Sequence, residues 1–254
     1  MTGFLLFTLY APLASWGEIA VGEARGSWDR PSRSAVLGLL AAALGITRQD
    51  QDGHDGLDSG YGLAVRLDVS GTSLVDYHTA QTAAESEIRK AFGKQRPSTR
   101  RAFLSVAERH TILSRRELRE DTLATACVWA CEGARWPLEA LKQALERPFF
   151  TLYAGRKANV FGLPLGPAIV EAETLSESFS LRRPAPNGID LSPLKPPRES
   201  WGREVAHDPL PQGVASGLKK ARTETRRDSS PQRARWQFSE RAVTIGLLPE
   251  EAGP

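Results

Sequence analysis

The sequence predicts an α+β protein on a βαββαβ plan, the split-βαβ or ferredoxin-like order, with an antiparallel sheet and both helices on one face. Three observations predict it. A continuous apolar and aromatic run, Phe4 to Tyr10, reads as a buried strand. Two helical patterns follow far apart in the chain, the apolar body Ala35–Ile46 and the amphipathic stretch Pro137–Arg147. Strand-like segments separate and follow them. The 254 residues, 41% hydrophobic and 25% charged, are enough for one large domain or two small ones.

The first strand leads into "APLASWGEIAVGEARGSWD", a glycine-punctuated loop with no periodicity, of a length that is usually functional. The first helix then opens on Arg30-Pro31-Ser32-Arg33-Ser34. Proline suits a first turn, and either serine can cap free amides. "QDQDGHDGLDSG" is polar and reads as turns. "YGLAVRLDVS" alternates and reads as a strand, with "GTSLVDYHTAQT" as its partner. From Arg89 to Arg119 the chain carries ten Lys or Arg against two Glu, which marks a basic insertion. "DTLATACVWACEG" reads as a strand. Leu138, Leu141 and Leu145 form the stripe of the second helix, "PFFTLYAG" reads as a further strand, and "GLPLGPAIVEAETL" leads into another. Beyond Thr174 the texture changes. Seven of 17 prolines lie between Pro184 and Pro211, and Lys219–Arg241 holds eight basic residues against three acidic ones. The expected division is a main domain at 1–174 and a smaller irregular one at 175–254.

Composition narrows the function. The net charge is only +3, but its basic residues cluster, as a polyanion-binding surface requires. No apolar run reaches the roughly 18 residues of a membrane helix, and the first residues lack the basic region and cleavage site of a signal peptide. The expectation is a cytoplasmic protein with no membrane partner. Cys127 and Cys131, set in a strand, would lie about 13 Å apart, too far for a disulfide. They read as free thiols, and no metal site or cofactor motif is legible.

Four features carry candidate chemistry. The basic insertion suits an arm along phosphates, or a solvated face. At the helix start, Arg30, Arg33, Ser32 and Ser34 surround free amides and a positive dipole end, which favours an anion. The same residues also suit a plain capped helix whose arginines pair with Asp29 or Glu23. "YAGRKAN" sets Gly155 beside Arg156 and Lys157 after a strand, fit for phosphate contact or for a simple turn. "DYHT" places Tyr77 next to His78, which can stack on a base or act as a general base with Tyr77 or Lys90. His54, His110 and His207 suggest nothing.

Taken together and in order, "APLASWGE", "RPSRSAVLGLLAAALGI", "DYHT", "ILSRRE" and "LYAGRKA" resemble the CasD-type (Cas-five family) subunits of type I-E CRISPR Cascade. The resemblance runs from about residue 4 to 170. It implies an RRM-like, modified ferredoxin fold with a β-hairpin thumb in the insertion, about 77–119, and a small C-terminal domain. Family members cap the 5′ handle of the crRNA. Their thumb packs at the first backbone subunit, and they help seat the large subunit that reads the PAM. Target DNA is met only through the complex. In type I-E a separate endonuclease cuts the precursor, whereas the type I-C relative cuts it itself. The resemblance therefore implies a non-catalytic subunit here, with metal-independent endoribonuclease activity as the alternative.

Carried over by position, Trp16 and Gly17 match the first loop. Pro31, Arg33 and Ser34 match the helix start, with Ser32 where threonine is usual. Tyr77, His78 and Thr79 match the thumb base. Ser114, Arg115, Arg116 and Glu117 match the Ser-Arg-Arg-Glu turn, with Leu118 in place of a common tyrosine. Gly155, Arg156 and Lys157 match the Gly-Arg-Lys turn, with Ala158 and Asn159 where Ser-Cys is frequent. The expected RNA-binding set is Trp16, Arg25, Arg30, Arg33, Ser34, Tyr77, His78, Arg115, Arg116, Gly155, Arg156 and Lys157. Trp28 and Tyr153 are further stacking candidates.

Overall fold

The computed structural model describes residues 1–17, 20, 22–106, 108–182, 191, 194, 202–232 and 237–249. Strand β1 (Thr2–Ala14) is apolar on both sides, and both sides are covered. Two short pairs follow, β2 (Trp16–Gly17) with β4 (Ser27–Trp28), and β3 (Ala24–Arg25) running parallel to a later strand. Helix α1 (Arg33–Leu44) is capped by Ser32, whose hydroxyl accepts from the Ala35 amide at 3.3 Å. Its apolar body packs beneath the sheet with Leu141 and Leu145 of α5 (Leu138–Glu146).

The polar stretch expected as turns is a helix, α2 (Gln51–Gly60). Asp50 caps it by accepting from the Gly53 amide at 2.9 Å, and Leu57 is buried in the core. Cap and burial together override the helix cost of three glycines. The segment Pro148–Gly155, expected as a strand, is irregular. The amides of Phe149 and Phe150 donate to the carbonyls of Ala43 and Ala42, so this backbone satisfies the end of α1 and not a ladder.

β5 (Tyr61–Val69), β7 (Arg109–Ala130) and β8 (Ala168–Ala172) complete the centre of the sheet in the order β8–β1–β7–β5, every pair antiparallel. On one face Leu5, Phe7, Leu9, Leu63, Val65, Ala126 and Val128 meet α1 and α5. The ferredoxin-like plan, with both helices on one face, leaves the other face of the sheet without a helix layer. That face is covered: Phe4, Leu6, Ala64, Cys127 and Trp129 are buried against Leu175 and Phe179 of α6 (Leu175–Ser180) and Val205 of β9 (Glu204–His207). Five apolar side chains on that face favour covering it in water.

The outer half of β7 leaves the core paired with β6 (Thr72–Ala83), from Thr72↔Glu120 to Ala83↔Arg109. This hairpin holds the expected insertion, but its tip is helical: α3 (Glu85–Phe92) and α4 (Arg100–Phe103) enclose Ala83, Ile88 and Val106 with Phe92 and Phe103. Gly71 makes the turn into β6. Its φ is +66°, and a Cβ would lie 2.1 Å from the Glu120 carbonyl oxygen.

The carboxyl-terminal stretch, expected as a separate irregular domain, extends the same sheet. β9 pairs with β5, and β11 (Gln237–Leu247) pairs with both β9 and β10 (Lys219–Gln232). The reason is the apolar alternation of Val205, Val243 and Ile245, which needs the sheet to bury it. Most of the proline-rich stretch 184–201 lies outside the described residues. Among the described residues no helix is long and apolar enough to cross a membrane.

Candidate nucleic-acid interface

A groove of about 1130 Å³ opens between the loop after β1, the first turns of α1, the loop 151–156 and the β10–β11 hairpin. Two loops build its floor. The Ser15 amide donates to the Ala154 carbonyl at 3.0 Å, and Ala154 in turn donates to the Asn159 carbonyl at 2.7 Å. Gly155 turns between them with φ +86°. A Cβ there would sit 1.8 Å from the Ser15 carbonyl oxygen. Its glycine serves a close backbone approach, as the sequence suggested, but to the β1 loop.

Of the expected residues, Trp16, Arg25, Ser34, Gly155 and Arg156 line this groove, with the weighed aromatics Trp28 and Tyr153. Trp16 is only 1% exposed and packs on Ala11, Ala14 and Ala154, so it is a foundation for the groove and has no face to offer a base. Arg25 is exposed and curls onto the carbonyls of Gly22 and Ala24. Ser34 shares a hydrogen bond with the capping Ser32 at 3.1 Å. Lys157 is exposed on the same loop.

The hairpin meets the groove beside Arg156. β3 lies along β7, pairing Ala24 with Arg115 and Arg25 with Arg116, and across β6 Arg115 faces Tyr77, Arg116 faces Asp76 and His78 faces Ser114. The motif read as a Ser-Arg-Arg-Glu turn is thus mid-strand. Glu117 of that motif accepts from the Ser27 amide at 3.3 Å and tethers the loop. Partial burial and the Arg116 charge hold the Arg156 guanidinium below its ordinary value, with Asp76 acting in the opposite sense. Two like charges held close are relieved by an anion between or beside them. Tyr77 and His78 are exposed on the hairpin, and Lys90 is bound to Glu87 at its tip at 2.6 Å.

The helix start is a different matter. Arg30 is 4% exposed, bidentate to Asp29 at 3.0 Å and bonded to Glu204. Arg33 binds Asp58 at 3.2 Å, Asp208, and the carbonyls of Asp58 and Tyr61. Its own amide donates to Asp228 at 2.8 Å. The anion expected at this helix end is already supplied by the chain. Of the two readings of the motif, the one in which Arg30 pairs with Asp29 describes the geometry, and Arg30 and Arg33 are not phosphate donors in it.

Sequence reasoning assigned no site residue to the far wall. Arg226, Arg227, Asp228, Gln237, Phe238 and Ser239 line it from β10 and β11. Arg226 lies over the Trp28 ring at 4.5 Å. The charge run Lys219–Arg241 was the available signal. Among the described residues no three His, Cys, Asp or Glu side chains converge as metal ligands.

The family model described as CRISPR-associated protein (Cas_Cas5) matches residues 4–244. The chain is 30% identical over 173 residues to the CRISPR system Cascade subunit CasD of Escherichia coli (strain K12), covering 65% of this chain and 70% of that one. Its fold is similar to a chain of a CRISPR RNA-guided surveillance complex, with a TM-score of 0.59, 23% identity, and 98% and 90% of the two chains covered. It is also similar to a chain described as a Cas protein, with a TM-score of 0.57, 24% identity, and 99% and 97% covered. The match over residues 4–244 settles the relationship: the chain belongs to the Cas5 family of CRISPR-associated proteins.

Proposed function

We propose that the chain is a non-catalytic RNA-binding subunit of a type I-E CRISPR surveillance complex, capping the 5′ handle of the crRNA and contacting the backbone and large subunits. The observation that carries this reading is the groove: cations on several walls, aromatic side chains between them, and an open shape that admits an extended single strand. Arg25, Arg115, Arg116, Arg156 and Lys157 are the phosphate donors. Tyr77 and His78 offer flat faces on the adjoining hairpin. The name of the E. coli relative and the motif set support membership of Cascade.

The order β8–β1–β7–β5 with α1 and α5 on one face supports the RRM-like, ferredoxin-type reading of the core. The β6–β7 hairpin takes the part of the thumb. Its exposed Leu74, Val75 and Ile112 suit a protein neighbour, here the first backbone subunit. Target DNA is reached through the assembled complex.

Purifying the complex with Arg25, Arg116 and Arg156 changed together to alanine tests this. Loss of crRNA from the particle is expected. Unchanged crRNA content and assembly would sink the proposal. Incubating the isolated chain with labelled repeat RNA and no metal tests the non-catalytic part. Intact RNA is expected, and cleavage abolished by His78→Ala would reverse that part.

A further inference from the structure

We propose that the β10–β11 hairpin is the second jaw of the RNA groove, with Arg227 as a phosphate contact and Asp228 as the residue that positions it. The inference rests on the groove being the RNA site, and it adds a wall and two residues to that reading.

The hairpin's register breaks between Arg226 and Ser229. Such an irregularity twists a strand and re-aims its side chains. In a regular strand, three successive residues cannot share a face. Here Arg226, Arg227 and Asp228 all line the groove. Arg227 is exposed, and its Nε donates to the Phe238 carbonyl at 3.1 Å. That bond fixes the stem of the side chain and leaves both terminal nitrogens without a partner among the described residues. A guanidinium held by one nitrogen and open at two is ready for a phosphate oxygen pair.

The jaw is fastened at its groove edge by polar contacts. Arg226 stacks on Trp28 at 4.5 Å. Asp228 accepts from the Arg33 amide at 2.8 Å and from Arg241 at 2.6 and 3.1 Å. Asp228 is the one carboxylate among the described residues lining the groove, and the helix end and Arg241 neutralise it. It therefore sets the place of Arg227 without repelling RNA.

The test is a titration of wild type, Arg227→Ala, Asp228→Asn and Arg156→Ala with a labelled single-stranded RNA copied from the host's CRISPR repeat, across a salt series. Thermal unfolding checks each variant. Arg227→Ala is expected to weaken binding about tenfold and to reduce the salt slope by about 0.7, one single-strand phosphate contact. Asp228→Asn removes a negative charge, which on charge alone tightens RNA binding. The expected result is weaker binding with the slope kept, because the jaw has lost its place. Tighter binding by Asp228→Asn would overturn the positioning role. A wild-type slope and affinity in Arg227→Ala, with Arg156→Ala impaired, would overturn the jaw and leave the groove standing. No effect in either arginine variant would overturn the groove itself. Should Asp228→Asn fail to fold, Arg227→Ala and Arg227→Glu decide the question alone.

Discussion

Arg33 and Arg241 hold one carboxylate between them: Asp208 accepts from Arg33 on Oδ2 and from Arg241 on Oδ1 at 2.6 Å. Asp208 Oδ2 also accepts from the Leu63 amide at 3.0 Å. Arg241 and the start of α1 then meet again on Asp228. Four residues thus close a ring, through three side chains and the Arg33 amide and guanidinium, that welds the first helix to the last strand.

Breaking that ring leaves buried charges uncompensated. Asp208→Ala is expected to cost about 3–5 kcal/mol, read as a lower urea midpoint. Arg33→Ala is expected to lose stability in the same range. The RNA affinity of its folded fraction should stay near wild type, because Arg33 faces carboxylates and carbonyls. A selective loss of RNA affinity at unchanged stability would restore it to the binding set.

Gly155→Ala is expected to destabilise by about 1–3 kcal/mol, because the position demands a left-handed backbone and has no room for a methyl group. RNA binding should fall with it, since the loop carrying Arg156 must move off the β1 loop. Lys157→Ala, two residues further on and exposed, is expected within about 0.5 kcal/mol of wild type. Equilibrium unfolding of the two variants checks the contrast.

The two thiols are expected to differ sharply in reactivity. Cys131 is half-buried and Cys127 wholly buried, and burial pushes the Cys127 thiol up to about 12. A thiol reagent at pH 8 should modify one cysteine in the native protein and two after denaturation. In the unfolded chain the Cys127 thiol ionises near 9.0. Its contribution to stability is full below that pH and is lost as pH rises toward about 12. Cys127→Ala is expected to flatten that alkaline limb, at the cost of a small cavity.

An acid limb should arise at Asp29. Burial alone would raise its carboxyl, but the hydrogen bonds and charge of Arg30, helped by Arg226 and Arg119, hold it below the ordinary 3.8. The unfolded carboxylate takes up its proton first as pH falls. The stabilisation is therefore present above about that value and is lost as pH drops through the folded one. Asp29→Asn should lower stability at pH 7 and make acid unfolding shallower, measured by circular dichroism against pH.

The core was legible because its signals are local. Phe4–Tyr10, Ala35–Ile46 and the Leu138 stripe each declare their element within a few residues. The misreadings came where a backbone's partner is distant. Phe149 and Phe150 have strand composition but cap α1. The helix Gln51–Gly60 depends on Asp50 and on a single buried leucine. Of the residues lining the groove, Arg156 and Gly155 were legible from glycine beside paired bases. Arg30 and Arg33 show the same basic pattern, and Glu204, Asp208 and Asp228, arriving from the far end of the chain to join Asp29 and Asp58, turn them into anchors. Composition alone cannot say which arginine meets a carboxylate.

Strand β7 is 22 residues long, about 70 Å end to end, broken only by one left-handed residue, Asp121 (φ +53°), where its two halves meet. Its inner half is clamped between β1 and β5, and its outer half carries the hairpin. No loop separates the two, so the hairpin behaves as a cantilever rooted at the centre of the sheet. Seven residues, about 23 Å, separate Arg116 beside the groove from Arg109 at the helical tip. The protein thereby carries a built-in ruler. Whatever is held at the tip is held at a set distance from whatever is held in the groove, and a change in that distance has to bend the paired strands of the hairpin.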